Sequence, residues 1–297
     1  MITNASILGP IKHGDYHKQD VQRGDPAYIM SQSELKVFNE NPWKWRNGYR
    51  LKPSKEMSFG SLVDCLLLTP DDYASRFVVQ PATYPAAKGE EKPWSNNATF
   101  CRDWNAEQKA KGLTVISPYE LDAANFIREK AAQHPVIGTV LFGCESQVAI
   151  SAVWQDESGI KVPLRGCIDI APVGKFETWL FDLKVYASAN PRQWANSVFD
   201  HALDVQAAMY LDIWNNVSRF VGTPRNAFGH IIVEPDAPFF MCPRMLSTSF
   251  IEAGREKYES ALRLYCQCLK ENKWPGYSEQ TLEETEIGIC EPSAYML

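Results

Sequence analysis

The chain has 297 residues and a formal net charge of -6, with 45% hydrophobic and 22% charged residues. This composition is typical of a folded globular protein and excludes a disordered chain, and no stretch is long and apolar enough to predict a membrane-spanning helix. A net negative charge disfavours a protein that coats nucleic acid, so any such contact must depend on a local basic surface.

The cysteines and the N-terminus bear on the cellular compartment. The sequence has eight cysteines, and the absence of any CxxC pair favours reduced thiols over disulfides or a metal site. The first ten residues lack the basic start and the apolar run of a secretion signal. We therefore expect a cytoplasmic protein that does not enter a membrane.

The N-terminal half of the sequence predicts mainly helices. Residues 1–30 predict an irregular N-terminal arm, because glycines and prolines interrupt any periodicity. Ser31 and Glu34 have the spacing of a capping box, which predicts a helix that ends before Pro42. Further helices are predicted over residues 59–68, 99–111 and 117–134, and a loop over residues 80–98.

The C-terminal half begins with alternating segments rich in Val, Ile and Ala. These segments predict three consecutive strands joined by turns, over residues 145–154, 161–171 and 178–185. The next predicted elements are a helix over residues 191–217, strands over 227–233 and 239–242, and a helix over 248–272. Together the elements predict an α/β (α+β) fold. Its predicted divisions are a single domain at 31–272, with a helical part at 31–140 and a core at 141–272, and a polar C-terminal tail at 273–297.

The hairpin of the second and third predicted strands contains the residues that indicate a catalytic site. Asp182 and Lys184 are two positions apart on one strand, so their side chains leave the same face. A turn centred between Lys175 and Phe176 places Asp169 directly opposite Asp182, with β-carbons roughly 5 Å apart. The pattern therefore predicts two carboxylates and one ammonium on a single patch of the sheet.

Two carboxylates this close repel each other unless a cation neutralises them. Magnesium is held by carboxylates together with phosphate oxygens, and manganese accepts similar ligands. Such a metal lowers the pKa of a bound water and stabilises a phosphoryl transition state. We therefore predict a Mg²⁺ site at Asp169, Asp182 and the neighbouring Leu183, where Lys184 orients the attacking water or stabilises charge. The alternative is a structural Asp–Lys pair with an unrelated upstream Asp.

Four further residues are candidates for the same site. Gln206 and Tyr210 are one helical turn apart, so they can contact phosphates or the metal shell together; the alternative is the polar edge of a core helix. Asp64 is a lone carboxylate in an apolar helix, so it needs a partner or a metal unless it is a cap or a surface residue. Glu145 opens the first strand and becomes a metal ligand only through a one-residue register shift or a bulge.

In this order the motifs resemble the RecB-like branch of the PD-(D/E)XK nucleases, and most closely the RecE (exonuclease VIII) type of phage and prophage exonuclease. Residues 60–68 resemble that family's G-x-x-x-H-x-L-L motif, with Asp64 where the family usually has His. The catalytic motifs of the family are matched by Asp169, Asp182-x-Lys184 and Gln206-x-x-x-Tyr210.

The resemblance implies a restriction-endonuclease-like core, in which helices flank a central mixed sheet, preceded by a helical part. It also implies a Mg²⁺-dependent exonuclease that degrades duplex DNA 5′ to 3′ and leaves 3′ single-stranded tails for recombination by strand annealing. The partners it implies are double-stranded DNA ends, a single-strand annealing protein and further copies of the chain in a ring-like trimer or tetramer. The setting it implies is a phage or prophage gene in a bacterial host.

Residues 42–55 form a basic and aromatic segment without an acidic residue. Lys and Arg contact phosphates, and aromatic rings stack on bases that have left the duplex. The segment therefore predicts DNA binding; the alternative is a solvated loop whose tryptophans fill the core. The predicted DNA-binding residues of this segment are Lys44, Trp45, Arg46, Arg50 and Lys52. Arg165, in the second predicted strand, is a further candidate for DNA binding.

Two other functions compete with this prediction. One is a nuclease of the same branch that carries an iron–sulfur cluster, which needs four suitably spaced cysteines. The other is a non-catalytic DNA-binding or assembly module of the same fold. The set of Asp169, Asp182 and Lys184 favours an enzyme over such a module.

Overall fold

Helices cover both faces of a central sheet in the computed structural model, which describes residues 1–11, 16, 18–50, 55–86, 90–218 and 222–277. The described strands, in chain order, are β1 (Ile2–Pro10), β2 (Met30–Ser31), β3 (Phe77–Val79), β4 (Thr83–Pro85), β5 (Glu91–Pro93), β6 (Thr114–Ile116), β7 (Glu145–Gln155), β8 (Lys161–Ala171), β9 (Trp179–Val185), β10 (Ala227–Val233) and β11 (Met241–Met245). The described α-helices are α1 (Gln32–Glu40), α2 (Pro42–Arg46), α3 (Lys55–Leu68), α4 (Tyr73–Arg76), α5 (Thr99–Ala110), α6 (Pro118–Gln133), α7 (Ile137–Leu141), α8 (Pro191–Asp200), α9 (Leu203–Ser218) and α10 (Thr248–Glu271).

The central sheet is mixed. Its order is β1-β7-β8-β9-β10-β11, and the short β2 lies parallel to β8. Strands β1, β7, β8 and β9 are antiparallel neighbours, whereas β9 and β10 are parallel. A parallel pair needs a crossover connection, and the chain makes it through α8 and α9. This crossover lays α9 across the sheet, where it contacts β1, β7 and β10.

A hydrophobic core lies on each face of the sheet. On one face, α1, α2, α9 and α10 pack on β7 and β8 around residues such as Ile150, Met209 and Tyr265. On the other face, α3 and α6 cover apolar residues of β9 and β10 that include Phe181 and Ile231. Both faces of β9 are therefore enclosed, so a charged side chain on this strand needs a partner.

Several predicted elements are confirmed. Ser31 caps α1 by accepting a hydrogen bond from the Glu34 backbone N–H at 3.3 Å. Strand β8 has its predicted bounds, and the predicted register of the β8–β9 hairpin is confirmed because Ile170 pairs with Phe181. That pair is adjacent to Asp169 and Asp182, so the turn between the strands sets the register as predicted.

Other predictions of local structure are wrong. Residues 2–10 are not irregular but form β1, which pairs with β7. The helix predicted over residues 191–217 is divided into α8 and α9, because Ala202 between them has a left-handed φ of 52°. The strand predicted at residues 239–242 begins later, as β11. The error at β1 arises because this strand pairs with the distant β7, and local composition does not show that pairing.

Two further findings concern the helices and the C-terminus. None of the helices in the described part of the chain is long and apolar enough to cross a membrane. Residues 278–297, which make up most of the predicted polar tail, lie outside the described residues. The division of the chain into arm, domain and tail therefore stays a prediction.

Candidate active site

Asp169 and Asp182 lie on neighbouring strands at the centre of the sheet. Asp169 precedes Ile170, the residue of β8 that pairs with Phe181 of β9. The Oδ2 atom of Asp169 accepts a hydrogen bond from the Leu183 backbone N–H at 3.0 Å. The register and this hydrogen bond together bring the two carboxylates to one point of the sheet.

Asp182 is an enclosed carboxylate with a partner on each oxygen. Its side chain is almost fully buried, and its Oδ2 atom lies 2.5 Å from the Lys184 ammonium nitrogen. Its Oδ1 atom accepts a hydrogen bond from Gln206 Nε2 at 2.7 Å. A buried charge is tolerated when it is paired and hydrogen-bonded in this way.

Gln206 reaches Asp182 because α9 packs closely on the sheet. Gly166 of β8 permits this approach, since a β-carbon there would lie 2.6 Å from Cε1 of Tyr210. Tyr210 is one turn beyond Gln206, and both side chains line the same cavity. The two residues therefore share a face, but the contact that Gln206 makes is with Asp182.

A third carboxylate comes from α3. Leu62 and Val63 are fully buried, so apolar contacts anchor this helix and leave Asp64 half-buried at the cavity. Gln147 of β7 joins the two carboxylates from opposite sides of the site. Its Nε2 atom donates to Asp169 Oδ1 at 3.2 Å and to Asp64 Oδ1 at 3.4 Å.

These side chains line a cavity of about 250 Å³, which we call the acidic cavity. At about 30 Å³ for each water molecule, this volume has room for a hydrated ion and a phosphate group. Its charged lining residues are Asp64, Asp169, Asp182 and Lys184. The other residues that line it are Ile11, Tyr16, Ser31, Gln32, Ser33, Gln147, Cys167, Gln206 and Tyr210.

Crowding of the carboxylates shifts their pKa values in different directions. Burial, followed by repulsion from Asp182 and Asp64, raises the pKa of Asp169 well above its usual value. Burial also raises the pKa of Asp64 to about 6. For Asp182 burial acts in the same sense, but the Lys184 ammonium outweighs it and the pKa is lowered. A divalent cation would supply the positive charge that full ionisation of all three carboxylates requires.

The donor chemistry of the acidic cavity fits a hard divalent cation. Carboxylate and backbone carbonyl oxygens are the ligands that magnesium and calcium accept. Within the described residues, however, no group of three His, Cys, Asp or Glu side chains already has the arrangement of a metal centre. The proposed ligands Asp64, Asp169, Asp182 and Leu183 therefore stay a prediction, and the Gln147 amide is bonded to two of them.

Glu145 does not line the acidic cavity, which corrects its prediction as a metal ligand. It begins β7 and is exposed to solvent. The β7–β8 register does differ by one residue from that of a simple hairpin. Since Val148 pairs with Ile168, this register brings Gln147 opposite Asp169. Gln147, rather than Glu145, therefore lies opposite Asp169.

The basic segment predicted to bind DNA is partly buried. Trp45 is 0% exposed and its Nε1 atom donates to Glu34 at 2.7 Å. Trp45 fills the core, so the prediction that it contacts DNA is wrong. Lys44 is half-buried and donates to the Tyr277 hydroxyl at 3.0 Å. Lys52 lies outside the described residues.

A second cavity, of about 510 Å³, adjoins the first. We call it the arginine cavity, because four arginines line it: Arg23, Arg46, Arg50 and Arg165. Glu34 is the one acidic side chain among its described lining residues. Ser31 and Ser33 line both cavities, so the two are continuous at the start of α1. A chain with a net negative charge thus concentrates positive charge beside its acidic cavity.

Arg23 is the most constrained of these arginines. Its side chain is 9% exposed and its Nη2 atom lies 2.8 Å from Glu34 Oε2. Its Nη1 atom donates to the carbonyl oxygens of Trp45 at 2.7 Å and Tyr49 at 2.8 Å. Within the described residues, the Nε atoms of Arg23 and Arg165 have no hydrogen-bond partner. These two Nε atoms are buried, so they are not exposed to a ligand of the cavity.

Three residues of this region were not predicted from the sequence. Arg23 lies in the segment predicted as irregular, and Gln147 depends on a register that its strand does not show. His230 gave a signal, since it is a polar residue in an apolar predicted strand. It is fully buried and aligned with Asp182 in the parallel β9–β10 pair. Burial lowers the pKa of His230 to about 4, which places a neutral imidazole beside Asp182 near pH 7.

Comparisons with known proteins agree with this fold. A comparison with curated proteins gave no significant match. The structure is similar to a crystal structure of a protein from Eubacterium rectale that is provisionally named an exonuclease, with a TM-score of 0.54 and 14% sequence identity. The similarity covers 96% of this chain and 97% of the other. At this identity the likeness concerns the fold, and it confirms the predicted α/β architecture with a central mixed sheet flanked by helices.

The sequence itself matches a described family. Residues 29–284 match the family described as PDDEXK-like domain of unknown function (DUF3799). This match confirms the superfamily that the motifs resemble, whereas the RecE type stays a prediction. The chain therefore belongs to the family of PDDEXK-like domains.

Proposed function

We propose that the chain is a Mg²⁺-dependent exodeoxyribonuclease that degrades linear double-stranded DNA from its 5′ ends and leaves 3′ single-stranded tails. The observation that carries the proposal is the continuity of the acidic and arginine cavities in a PDDEXK-like nuclease fold. The acidic cavity suits a cation and the phosphate to be cleaved, and the arginine cavity suits the free phosphate of a strand end.

The residues of the acidic cavity have separate roles in this proposal. Asp64, Asp169, Asp182 and the Leu183 carbonyl would hold the magnesium ion, which lowers the pKa of a bound water and offsets phosphate charge. Lys184 places its ammonium beside Asp182, where it can donate to the attacking water or to a phosphate oxygen. Gln206 binds the second oxygen of Asp182 and so fixes the orientation of that carboxylate.

The arginine cavity supports recognition of strand ends. A 5′-terminal phosphate carries more negative charge than a backbone phosphate, because its second pKa is near 6. Guanidinium groups match the geometry of phosphate oxygens, and the N-terminus of a helix adds partial positive charge. Arg46, Arg50 and Arg165 supply such groups at the start of α1. Through Ser31 and Ser33, a terminal phosphate bound there would lie next to the acidic cavity.

The proposal is tested with linear duplexes that differ only at the 5′ end and with a covalently closed circle. We expect rapid digestion of the 5′-phosphorylated duplex in magnesium, slower digestion of the 5′-hydroxyl duplex and no digestion of the circle. The double variant Arg50→Gln and Arg165→Gln should lose the preference for the 5′-phosphate. Lys109→Gln, an exposed charge on α5, is the control for charge loss elsewhere. Equal digestion of circle and linear duplex would contradict end recognition.

The family that the motifs resemble also suggests which proteins the chain binds. We propose a single-strand annealing protein, which would coat the 3′ tail, and a ring-like trimer or tetramer of this chain around the DNA. Light scattering should give three or four times the monomer mass. Processive digestion of DNA by a chain that light scattering shows to be a monomer would contradict the ring.

The assays also test the competing functions. A non-catalytic module would bind duplex ends through the arginine cavity and release no nucleotides in magnesium or manganese. For the iron–sulfur alternative, the described cysteines form no cluster with other metal-binding residues. Iron in the purified protein would favour that alternative, and a colourless protein without iron would exclude it.

A further inference from the structure

Gln147 is held in an unusual backbone conformation at the acidic cavity. Its φ is 51°, a left-handed value within strand β7. Residues with side chains rarely adopt this conformation, and where they do the surrounding structure must hold them. On either side of it the ladder with β8 is regular, since Ser146 pairs with Ile170 and Val148 with Ile168. The irregularity is therefore local, and it coincides with the residue that reaches into the cavity.

Three side chains fix the Gln147 amide. Its Nε2 atom donates to Asp169 Oδ1 at 3.2 Å and to Asp64 Oδ1 at 3.4 Å. The Cys167 thiol donates to its Oε1 atom at 3.4 Å. One amide thus links carboxylates from β8 and α3, two elements that do not adjoin each other in the sequence.

The Gln147 amide satisfies hydrogen bonds but supplies no charge. Among the described lining residues, Asp64, Asp169 and Asp182 share the cavity with one ammonium, that of Lys184. Full ionisation of the three carboxylates would leave negative charge in excess, which a divalent cation can neutralise and a neutral amide cannot. An amide also carries a carbonyl oxygen, which is a ligand for hard cations. A rotation of the terminal amide group exchanges its nitrogen for this oxygen without moving the strand.

We propose that Gln147 is a positioning residue that sets the affinity of the acidic cavity for a divalent cation. Its N–H groups hold the Asp64 and Asp169 carboxylates towards each other, and its carbonyl oxygen would be available to a bound cation. The inference rests on the proposed metal-dependent function.

The test measures Mn²⁺ binding to the full chain without DNA, by calorimetry and by the electron paramagnetic resonance of free Mn²⁺. Gln147→Met keeps the length of the side chain and removes both hydrogen-bonding groups. It should weaken Mn²⁺ binding by about tenfold, the lower range for residues that orient metal ligands. Gln147→Glu adds a carboxylate, so it should bind Mn²⁺ more tightly than the wild type. Without metal it should melt at a lower temperature, and it should show a larger rise in Tm on adding Mn²⁺.

Gln155→Met, at the other end of β7 and outside the acidic cavity, is the matched control. It should bind Mn²⁺ like the wild type. Equal Mn²⁺ affinities for wild type, Gln147→Met and Gln147→Glu would overturn the inference while leaving the proposed function intact. A wild-type chain that binds no Mn²⁺ would instead overturn the proposed function. Circular dichroism separates loss of binding from loss of folding, and the opposite signs expected for Met and Glu cannot both result from misfolding.

Discussion

The acidic cavity and the arginine cavity adjoin each other, yet the chain builds them in different ways. The acidic cavity takes Asp169, Asp182 and Lys184 from one hairpin and completes them from helices on either face of the sheet. The arginine cavity takes its residues from segments near 19–34 and 46–50 and from one strand position, Arg165. A local sequence pattern thus places the two carboxylates of the hairpin, whereas only tertiary packing brings the arginines together. The comparison predicts that changes in the first cavity affect turnover and changes in the second affect binding.

The largest effect is expected for Lys184→Ala. Its ammonium is the one positive charge among the described residues that line the acidic cavity, so turnover should fall about 100-fold or more. Binding of DNA should be nearly unchanged, because it depends on phosphate contacts elsewhere. Single-turnover cleavage and filter binding on the same duplex measure the two quantities. Lys175→Ala, an exposed lysine in the turn of the same hairpin, is the control. Wild-type turnover in Lys184→Ala would mean that another lysine has this role.

The next largest effect is expected for Asp64, at the position where the RecE-type family that the motifs resemble usually has His. Asp64→Ala should need at least about tenfold more magnesium for half-maximal cleavage, as for other changes around a metal site. Asp64→His should keep measurable activity with a preference shifted towards manganese, because imidazole suits softer metals. Asp64→Asn, which keeps the shape and loses the charge, should lie between them. Identical magnesium midpoints for all three variants and the wild type would remove Asp64 from the site.

A smaller effect on binding should distinguish the arginine cavity from the rest of the basic segment. Arg46 and Arg50 line the cavity, whereas Lys44 is bonded to Tyr277 outside it. Changing both arginines to Ala should weaken binding to all sequences and reduce the salt slope by roughly 0.9 for each phosphate that is no longer neutralised. Lys44→Ala should change the slope less. An unchanged slope in a folded double arginine variant would show that the cavity does not hold DNA.

The smallest effect is on stability, through Glu34. Burial opposes its ionisation, but the hydrogen bond and charge of Arg23 outweigh burial, so the pKa of Glu34 is lowered from 4.5. A lowered pKa stabilises the folded state above pH 4.5, and this contribution is lost as the pH falls towards the lower folded value. Glu34→Gln should cost about 1–2 kcal/mol at pH 7. Urea unfolding should show that the difference from wild type shrinks below pH 4.5; a constant difference would contradict the ion pair.

The contrast between the cavities also explains what could be predicted from the sequence. The β8–β9 register followed from one short turn, and the i, i+4 spacing of Gln206 and Tyr210 defined a shared helix face, because both are local relations. Gln147 could not be predicted, since its place depends on a left-handed backbone position inside a strand. Trp45 was wrongly predicted to contact DNA because it lies between two basic residues of α2, and the sequence does not show that its side chain is buried.

The arginine cavity was beyond sequence reasoning for a different reason. Arg23 belongs to a segment without periodicity, and its neighbours in space are Glu34 and the carbonyl of Trp45. No pattern in the sequence joins Arg23, Arg50 and Arg165. Their proximity arises because β2 pairs with β8 and α1 follows directly from β2.

The central claim is that the acidic cavity is a metal-dependent centre that cleaves DNA from 5′ ends. The most direct measurement follows release of label from a linear duplex labelled at either the 5′ or the 3′ end, in magnesium and in excess chelator. Asp182→Asn is measured beside the wild type. The account predicts early release of the 5′ label in magnesium, late release of the 3′ label, and no release in chelator or by Asp182→Asn. Undiminished cleavage in chelator, or by Asp182→Asn, would contradict it.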